Sequence, residues 1–166
     1  MRILGIDPGL ATVGWAVLEC GRGTLLPVAY GAITTPAHTD IEARLLMIKS
    51  DLEALIDKYS PEEMAIEELF FNTNITTGIA VAEARGVILC TAHAKGVKIS
   101  EYTPLQVKQA VVGYGKAEKR QVIAMVTSIL KLKSPPNPDD TADAVAIAIC
   151  HSQCRSSAMG KYFNGR

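Results

Sequence analysis

The residues able to do chemistry in this chain are acids placed where acid is disfavoured. Asp7 stands at the end of the apolar run Arg2-Ile-Leu-Gly-Ile6, and Pro8-Gly9 then turns the chain sharply. Glu67 and Glu68 interrupt a second run, Met64-Ala-Ile-Glu-Glu-Leu-Phe-Phe71. Asp139, Asp140 and Asp143 open a third, Asp139-Asp-Thr-Ala-Asp-Ala-Val-Ala-Ile-Ala-Ile149, which is apolar nearly all round after its first turn. Each acid has an ordinary explanation. Asp7 can fold back in an Asx-type turn, and Asp139 and Asp140 can cap a helix and favour its dipole. Asp143 fits that account less well, because it sits inside a helix whose composition demands burial. Asp140 and Asp143, three apart, share a helix face. Carboxylates gathered from three elements repel unless a cation neutralises them or some take up protons. Oxygen-only ligands suit the hard ions Mg²⁺ and Mn²⁺, and two such ions suit an in-line phosphoryl displacement. Adjacent residues of a strand face opposite sides, so one of Glu67 and Glu68 points inward. Alternation does not choose between them.

Basic residues gather in one region. Lys108, Lys116, Lys119 and Arg120 flank the Gly113-Tyr-Gly115 loop. Lys119 and Arg120 fall early in a helix, where backbone N–H groups also favour phosphate. A solvated helix face is the plain alternative. Phe70 and Phe71 lead into an Asn-rich loop, where one can cap the core and the other stack on a base.

The elements that must position these groups follow from the periodicity. Residues 2–6, 13–18 and 25–34 are β-rich runs separated by Pro8-Gly9 and Gly21-Arg-Gly23, which predicts an antiparallel meander. Over residues 40–59, Ile41, Leu45, Ile48, Leu52, Leu55 and Ile56 fall on one helical face. Thr39 or Asp40 can cap that helix, and Ser60-Pro61 ends it. A strand-like run over residues 64–71 precedes a long helix from 75 to about 95. A strand over 97–102, helices over 104–112 and 117–131, and a last helix from 139 complete the order. Along the long helix Gly78, Ala82, Gly86, Cys90 and Ala94 recur every four residues. Such a stripe lets another backbone approach closely. We assign it to the chain's own sheet, with a helix of a second subunit as the alternative. The order argues for a mixed α/β sheet covered on both faces by helices.

At 166 residues the chain reads as one domain over 1–157 with a flexible tail over 158–166. Apolar residues make up 48% and charged residues 20%, an ordinary globular balance. No run is long enough to span a bilayer and no secretory signal is evident, which predicts a cytoplasmic protein. Cys20, Cys90, Cys150 and Cys154 form no CxxC pair, and Cys90 and Cys150 lie in apolar surroundings, as reduced thiols do. Lys and Arg number 17 against 17 Asp and Glu. That balance argues against nonspecific coating of nucleic acid, but not against a nuclease.

With these residues in place the chain resembles, across nearly its whole length, the RuvC family of bacterial Holliday-junction resolvases, within the RNase H-like (retroviral-integrase) superfamily. The matching stretches are Leu4-Gly-Ile-Asp-Pro-Gly9, Ala65-Ile-Glu67 with Phe70, and Ala84-Arg-Gly-Val87. They continue with Gln106-Val-Lys-Gln109, Val112-Gly113, Ala117-Glu-Lys119 and Asp140-Thr-Ala-Asp-Ala-Val-Ala-Ile-Ala148. The resemblance implies an RNase H-like fold, with a five-stranded mixed sheet of three antiparallel and two parallel strands. It implies a catalytic and metal-binding tetrad of Asp7, Glu67, Asp140 and Asp143, and so chooses Glu67 over Glu68. Because some family members carry His at the position of Asp140, that acid is the most exchangeable of the four. The resemblance further implies Phe70 as the aromatic that touches bases, Lys108 and Lys119 as DNA contacts, two Mg²⁺ ions per site with Mn²⁺ able to substitute, and a homodimer. The expected activity is paired symmetric nicking of four-way DNA junctions alongside the branch-migration proteins RuvA and RuvB. Near-neutral charge departs from the strongly basic face such a protein would present.

Three other readings are weaker. An actin-like ATPase or sugar kinase needs a second half and a second phosphate loop, and neither is present. An RNase H-like nuclease acting on RNA would share the fold and the first Asp. A catalytically silent junction-binding scaffold would have no use for a full set of four acids.

Overall fold

The computed structural model describes residues 1–21, 23–69 and 75–156. Ten elements run in the order β1 (Arg2–Asp7), β2 (Thr12–Cys20), β3 (Leu25–Thr34), α1 (Ile41–Tyr59), β4 (Glu63–Glu67), α2 (Ile75–Ala94), β5 (Lys98–Tyr102), α3 (Pro104–Val112), α4 (Lys119–Ile129) and α5 (Asp139–Ser156). The five strands form one sheet in the order β3-β2-β1-β4-β5. The first three strands pair antiparallel, and β4 and β5 add in parallel to β1. This is the expected mixed α/β sheet.

Alternation along the strands sorts the core into two layers. Leu4, Ile6, Val17, Met64 and Ile66 face α1 and α2, meeting Ile48, Leu52, Ile56, Ala84 and Ile88. Ile3, Ala16, Leu18 and Ala65 face the other way, against α3, α4 and the buried run Ala144 to Cys150 of α5. Parallel strands covered on both faces are apolar at nearly every position, as β1 and β4 are.

Glycines set how close α5 comes to the sheet. A β-carbon on Gly5 would stand 2.2 Å from the Ala144 carbonyl oxygen, and one on Gly14 only 1.9 Å from that of Asp140. Only residues lacking a side chain permit this approach. The α5 backbone therefore rests directly on β1 and β2.

The structure revises four readings of the chain. On α2 the buried residues are Ala84, Ile88, Thr91 and Ala92, whereas Gly86, Cys90 and Ala94 are exposed. The small-residue stripe does not pack on the chain's own sheet, and Cys90 is not among apolar neighbours. Helix α4 begins at Lys119 rather than Ala117. Ala117 is buried before the helix starts, and the Gln121 side chain accepts the Glu118 N–H at 2.8 Å. Asp40 is the N-cap of α1 by position, without a side-chain capping bond.

Candidate active site

Asp7 is the last residue of β1 and Glu67 the last of β4, and these strands run parallel as neighbours. Both acids share strand parity with residues of the α5 side, Asp7 with Ile3 and Glu67 with Ala65. Glu68 has the opposite parity, and its backbone N–H closes the sheet to the Tyr102 carbonyl at 2.8 Å. The choice between Glu67 and Glu68 is thus made by which helices cover each face.

Helix α5 brings the remaining acids to the same end of the sheet. Gly14 is the antiparallel partner of Asp7, and the Asp140 carbonyl lies against it. Asp143 follows one turn on, half-buried. Gly14 and Gly5 are residues that sequence reasoning passed over. A glycine inside an otherwise apolar strand was the signal available.

The acids lie close enough to influence one another's charge. Burial first, then Asp143, Glu67 and Asp140, push the Asp7 carboxyl up to about 8, against a weaker opposing pull from Lys119. Burial and Asp143 push Glu67 up to about 7, while Lys108 and Lys119 pull it down. Both acids hold their protons far above the ordinary carboxylate range, first because burial disfavours the charged form and then because the neighbouring carboxylates repel it.

One cation already sits in this group. Lys119 Nζ lies 2.9 Å from Asp143 Oδ2 and 3.6 Å from Asp139 Oδ2. Burial by itself would lower the Lys119 ammonium, but the hydrogen bond and charge of Asp143, with Asp139 and Asp140, outweigh it and raise it. Among the described residues, no three Asp, Glu, His or Cys side chains stand close enough to surround one ion. The Lys119 ammonium instead pairs with two of the acids, Asp143 and Asp139. Four oxygen donors with repulsion left over fit a hard divalent ion, and their chemistry excludes a thiolate or imidazole site.

A cleft of about 250 Å³ opens here, lined by Glu67, Pro104, Val107, Lys108, Lys119, Val122 and Asp143. Its basic wall follows from two caps. In α3, Thr103 Oγ1 accepts the Gln106 N–H at 3.2 Å and Gln106 Oε1 accepts the Thr103 N–H at 2.8 Å. This capping box starts the helix directly after β5 and points Lys108 into the cleft while Val107 and Val111 enter the core. Lys119 is the first residue of α4.

The four basic candidates therefore divide. Lys108 and Lys119 line the cleft. Lys116 is exposed on the preceding loop, and Arg120 is exposed and paired with Glu118 at 2.7 Å. Phe70 lies outside the described residues, as does the tail over 158–166. His151 of α5 is held away from the cleft's acids by bonds to the Tyr102 hydroxyl at 2.8 Å and to Glu63 at 2.7 Å.

A sheet of this order, with acids at the ends of two central strands and at the start of the last helix, defines a nuclease of the RNase H-like class. Residues 3–151 match the sequence model of RuvC, crossover junction endodeoxyribonuclease, and the chain belongs to that family. A crossover junction endodeoxyribonuclease RuvC of Syntrophomonas wolfei is 54% identical over 151 residues, 91% of this chain and 88% of the relative. One of Clostridioides difficile is 51% identical over 152 residues, 92% and 90% of the two chains. Among solved structures, Thermus thermophilus RuvC in complex with a Holliday junction substrate superposes with a TM-score of 0.86 at 35% identity, covering 92% of this chain and 93% of that one. The yeast mitochondrial resolvase Ydc2, at 12% identity and a TM-score of 0.67 over 91% of this chain and 78% of that one, shares the fold. No helix among the described residues is long and apolar enough to cross a membrane.

Proposed function

We propose that the chain is a crossover junction endodeoxyribonuclease that resolves four-way DNA junctions by paired symmetric nicking. The observation that carries the reading is the convergence of Asp7, Glu67, Asp140 and Asp143 beside a lysine-lined cleft, in a chain of the RuvC family. These four acids are the catalytic and metal-binding set. Two Mg²⁺ ions, with Mn²⁺ as a substitute, supply Lewis-acid stabilisation of an in-line phosphodiester displacement when bound.

The chain's own groups do the rest. Asp7 and Glu67, mounted on the rigid ends of paired parallel strands, fix one side of the site. Asp140 and Asp143 fix the other, held by the contact of α5 with Gly14 and Gly5. Lys119 and Lys108 face the cleft and stabilise charge developing on the scissile phosphate. Lys116 and Arg120 extend the basic surface for neighbouring phosphates, and Phe70 stacks on bases near the junction centre.

Two equivalent strands must be cut, which calls for two sites and so for a homodimer. The exposed small-residue face of α2 supports that assembly, since Gly86, Cys90 and Ala94 would let a second backbone come close. Branch-migration proteins of the RuvA and RuvB type are the expected partners, and the cytoplasm the expected compartment.

Incubating a synthetic four-way junction with the protein, with and without Mg²⁺, tests the reading. Paired symmetric nicks only with Mg²⁺ are expected. Binding without nicks would make the chain a scaffold, and preferential cutting of an RNA–DNA hybrid would make it an RNase H-like enzyme.

A further inference from the structure

Glu67 ends β4 at a point where the sheet cannot hold its main chain on one side. Beyond Asp7, where β1 ends, the neighbouring chain continues into Pro8, which has no N–H to offer. The Glu67 carbonyl takes its hydrogen bond from elsewhere: Arg85 Nε of α2 donates to it at 3.2 Å. The same guanidinium pairs through Nη2 with the carboxylate of Glu101 on β5. Glu101 is the register partner of Ile66, the residue before Glu67. Only 16% of the Arg85 side chain is exposed, against 48% for Glu101. One guanidinium thus joins α2, the last residue of β4 and β5 at the end of the sheet where the acids gather.

Arg85 reaches Glu67 from the α2 side, whereas the Glu67 carboxylate looks toward α5. The two charges therefore meet through the main chain and not directly. The charged groups that shift the Glu67 carboxyl are Asp143, Lys108 and Lys119, and Arg85 is not one of them. A planar guanidinium can hold a carbonyl and a carboxylate at once, which a lysine ammonium does with poorer geometry.

From this geometry we infer that Arg85 is a positioning residue for Glu67, clamping the end of β4 against the repulsion among the acids so that the carboxylate is set for metal binding. The inference rests on the reading of Glu67 as a metal ligand.

Replacing Arg85 by Met keeps most of the apolar stem and removes the clamp. On a synthetic four-way junction at saturating Mg²⁺, Arg85→Met is expected to lower kcat roughly 10- to 100-fold, the cost of a small misplacement. KM for the junction stays where it was. Mn²⁺ binding, titrated by electron paramagnetic resonance without turnover, weakens, and Arg85→Lys recovers part of both losses. A folded Arg85→Met with wild-type kcat and Mn²⁺ binding would overturn the inference. So would a kcat loss that vanishes at temperatures well below the melting transition, since that marks a purely structural role. If Arg85→Met does not fold, Glu101→Gln loosens the same clamp from its exposed end. It should lower kcat and Mn²⁺ affinity in the same direction, and no change in either would overturn the inference. Glu67→Gln separates the two levels. If it nicks normally the metal-ligand reading itself fails; if it is inactive while Arg85→Met behaves as wild type, only the role of Arg85 fails.

Discussion

Gly14 and Asp140 touch through main chain alone: the Asp140 carbonyl oxygen occupies the space where a Gly14 side chain would begin, 1.9 Å from the position of its β-carbon. Because Gly14 pairs with Asp7 across the β1–β2 ladder, this contact sets the separation between the first and third acids of the site.

Substituting Gly14 by Ala pushes α5 off the sheet at the site. We expect a loss of about 1–3 kcal/mol, the usual cost of overpacking, and a fall in nicking of roughly 100-fold from the shifted acids. Urea unfolding and junction cleavage measure the two effects. A Gly14→Ala protein of unchanged stability and rate would show that the close approach of α5 is dispensable.

Lys119 is the resident counter-charge of the acids. Removing it in Lys119→Met strips Asp143 of its cation and withdraws the influence that lowers the Asp7 carboxyl. The metal-free variant should be less stable than wild type at pH 8, with the gap closing toward pH 5 as the acids protonate. Nicking should fall by roughly 100-fold with the loss of a preorganised donor. The log–log salt slope of junction binding should flatten by about one. Thermal melts across pH, a single-turnover nicking assay and a salt titration report these separately.

The raised carboxyls fix the sign of the pH dependence. Asp7 moves from 3.8 to about 8 and Glu67 from 4.5 to about 7. The folded protein therefore binds more protons than the unfolded chain between those values. Their contribution to stability is fully present below the ordinary carboxylate pKa values, declines as pH rises from there, and is lost once pH has passed through 7 to 8. In EDTA the melting temperature should fall across that window, and Mg²⁺ should restore most of it at the alkaline end. Asp7→Asn should flatten the EDTA profile. A wild-type profile that rises from pH 5 to 8 in EDTA would contradict the assignment of these shifts.

Much of this architecture is legible in the residues. Strand and helix order, the position of α3 and the four acids follow from periodicity, punctuation and the resemblance. What the chain hides is what depends on packing. Glu67 and Glu68 are equivalent until the faces of β4 are assigned to α5 on one side and to α1 and α2 on the other. Gly14 reads as a weak point of a strand until α5 is seen to need it. The small residues of α2 mislead for a geometric reason. A four-residue repeat advances about 40° per step around a helix with 3.6 residues per turn, so it winds from one face to another. Arg85 belongs to a motif whose sequence gives no hint that it reaches a backbone carbonyl eighteen positions away.

If Asp7, Glu67, Asp140 and Asp143 act as one metal-binding nuclease centre, neutralising Asp7 alone stops nicking without releasing the junction. Purified Asp7→Asn protein, mixed with a synthetic four-way junction in Mg²⁺, tests it most directly. A retained binding shift on a native gel and no nicks on a denaturing one are expected. Mg²⁺-dependent symmetric nicking by a pure Asp7→Asn preparation would contradict it.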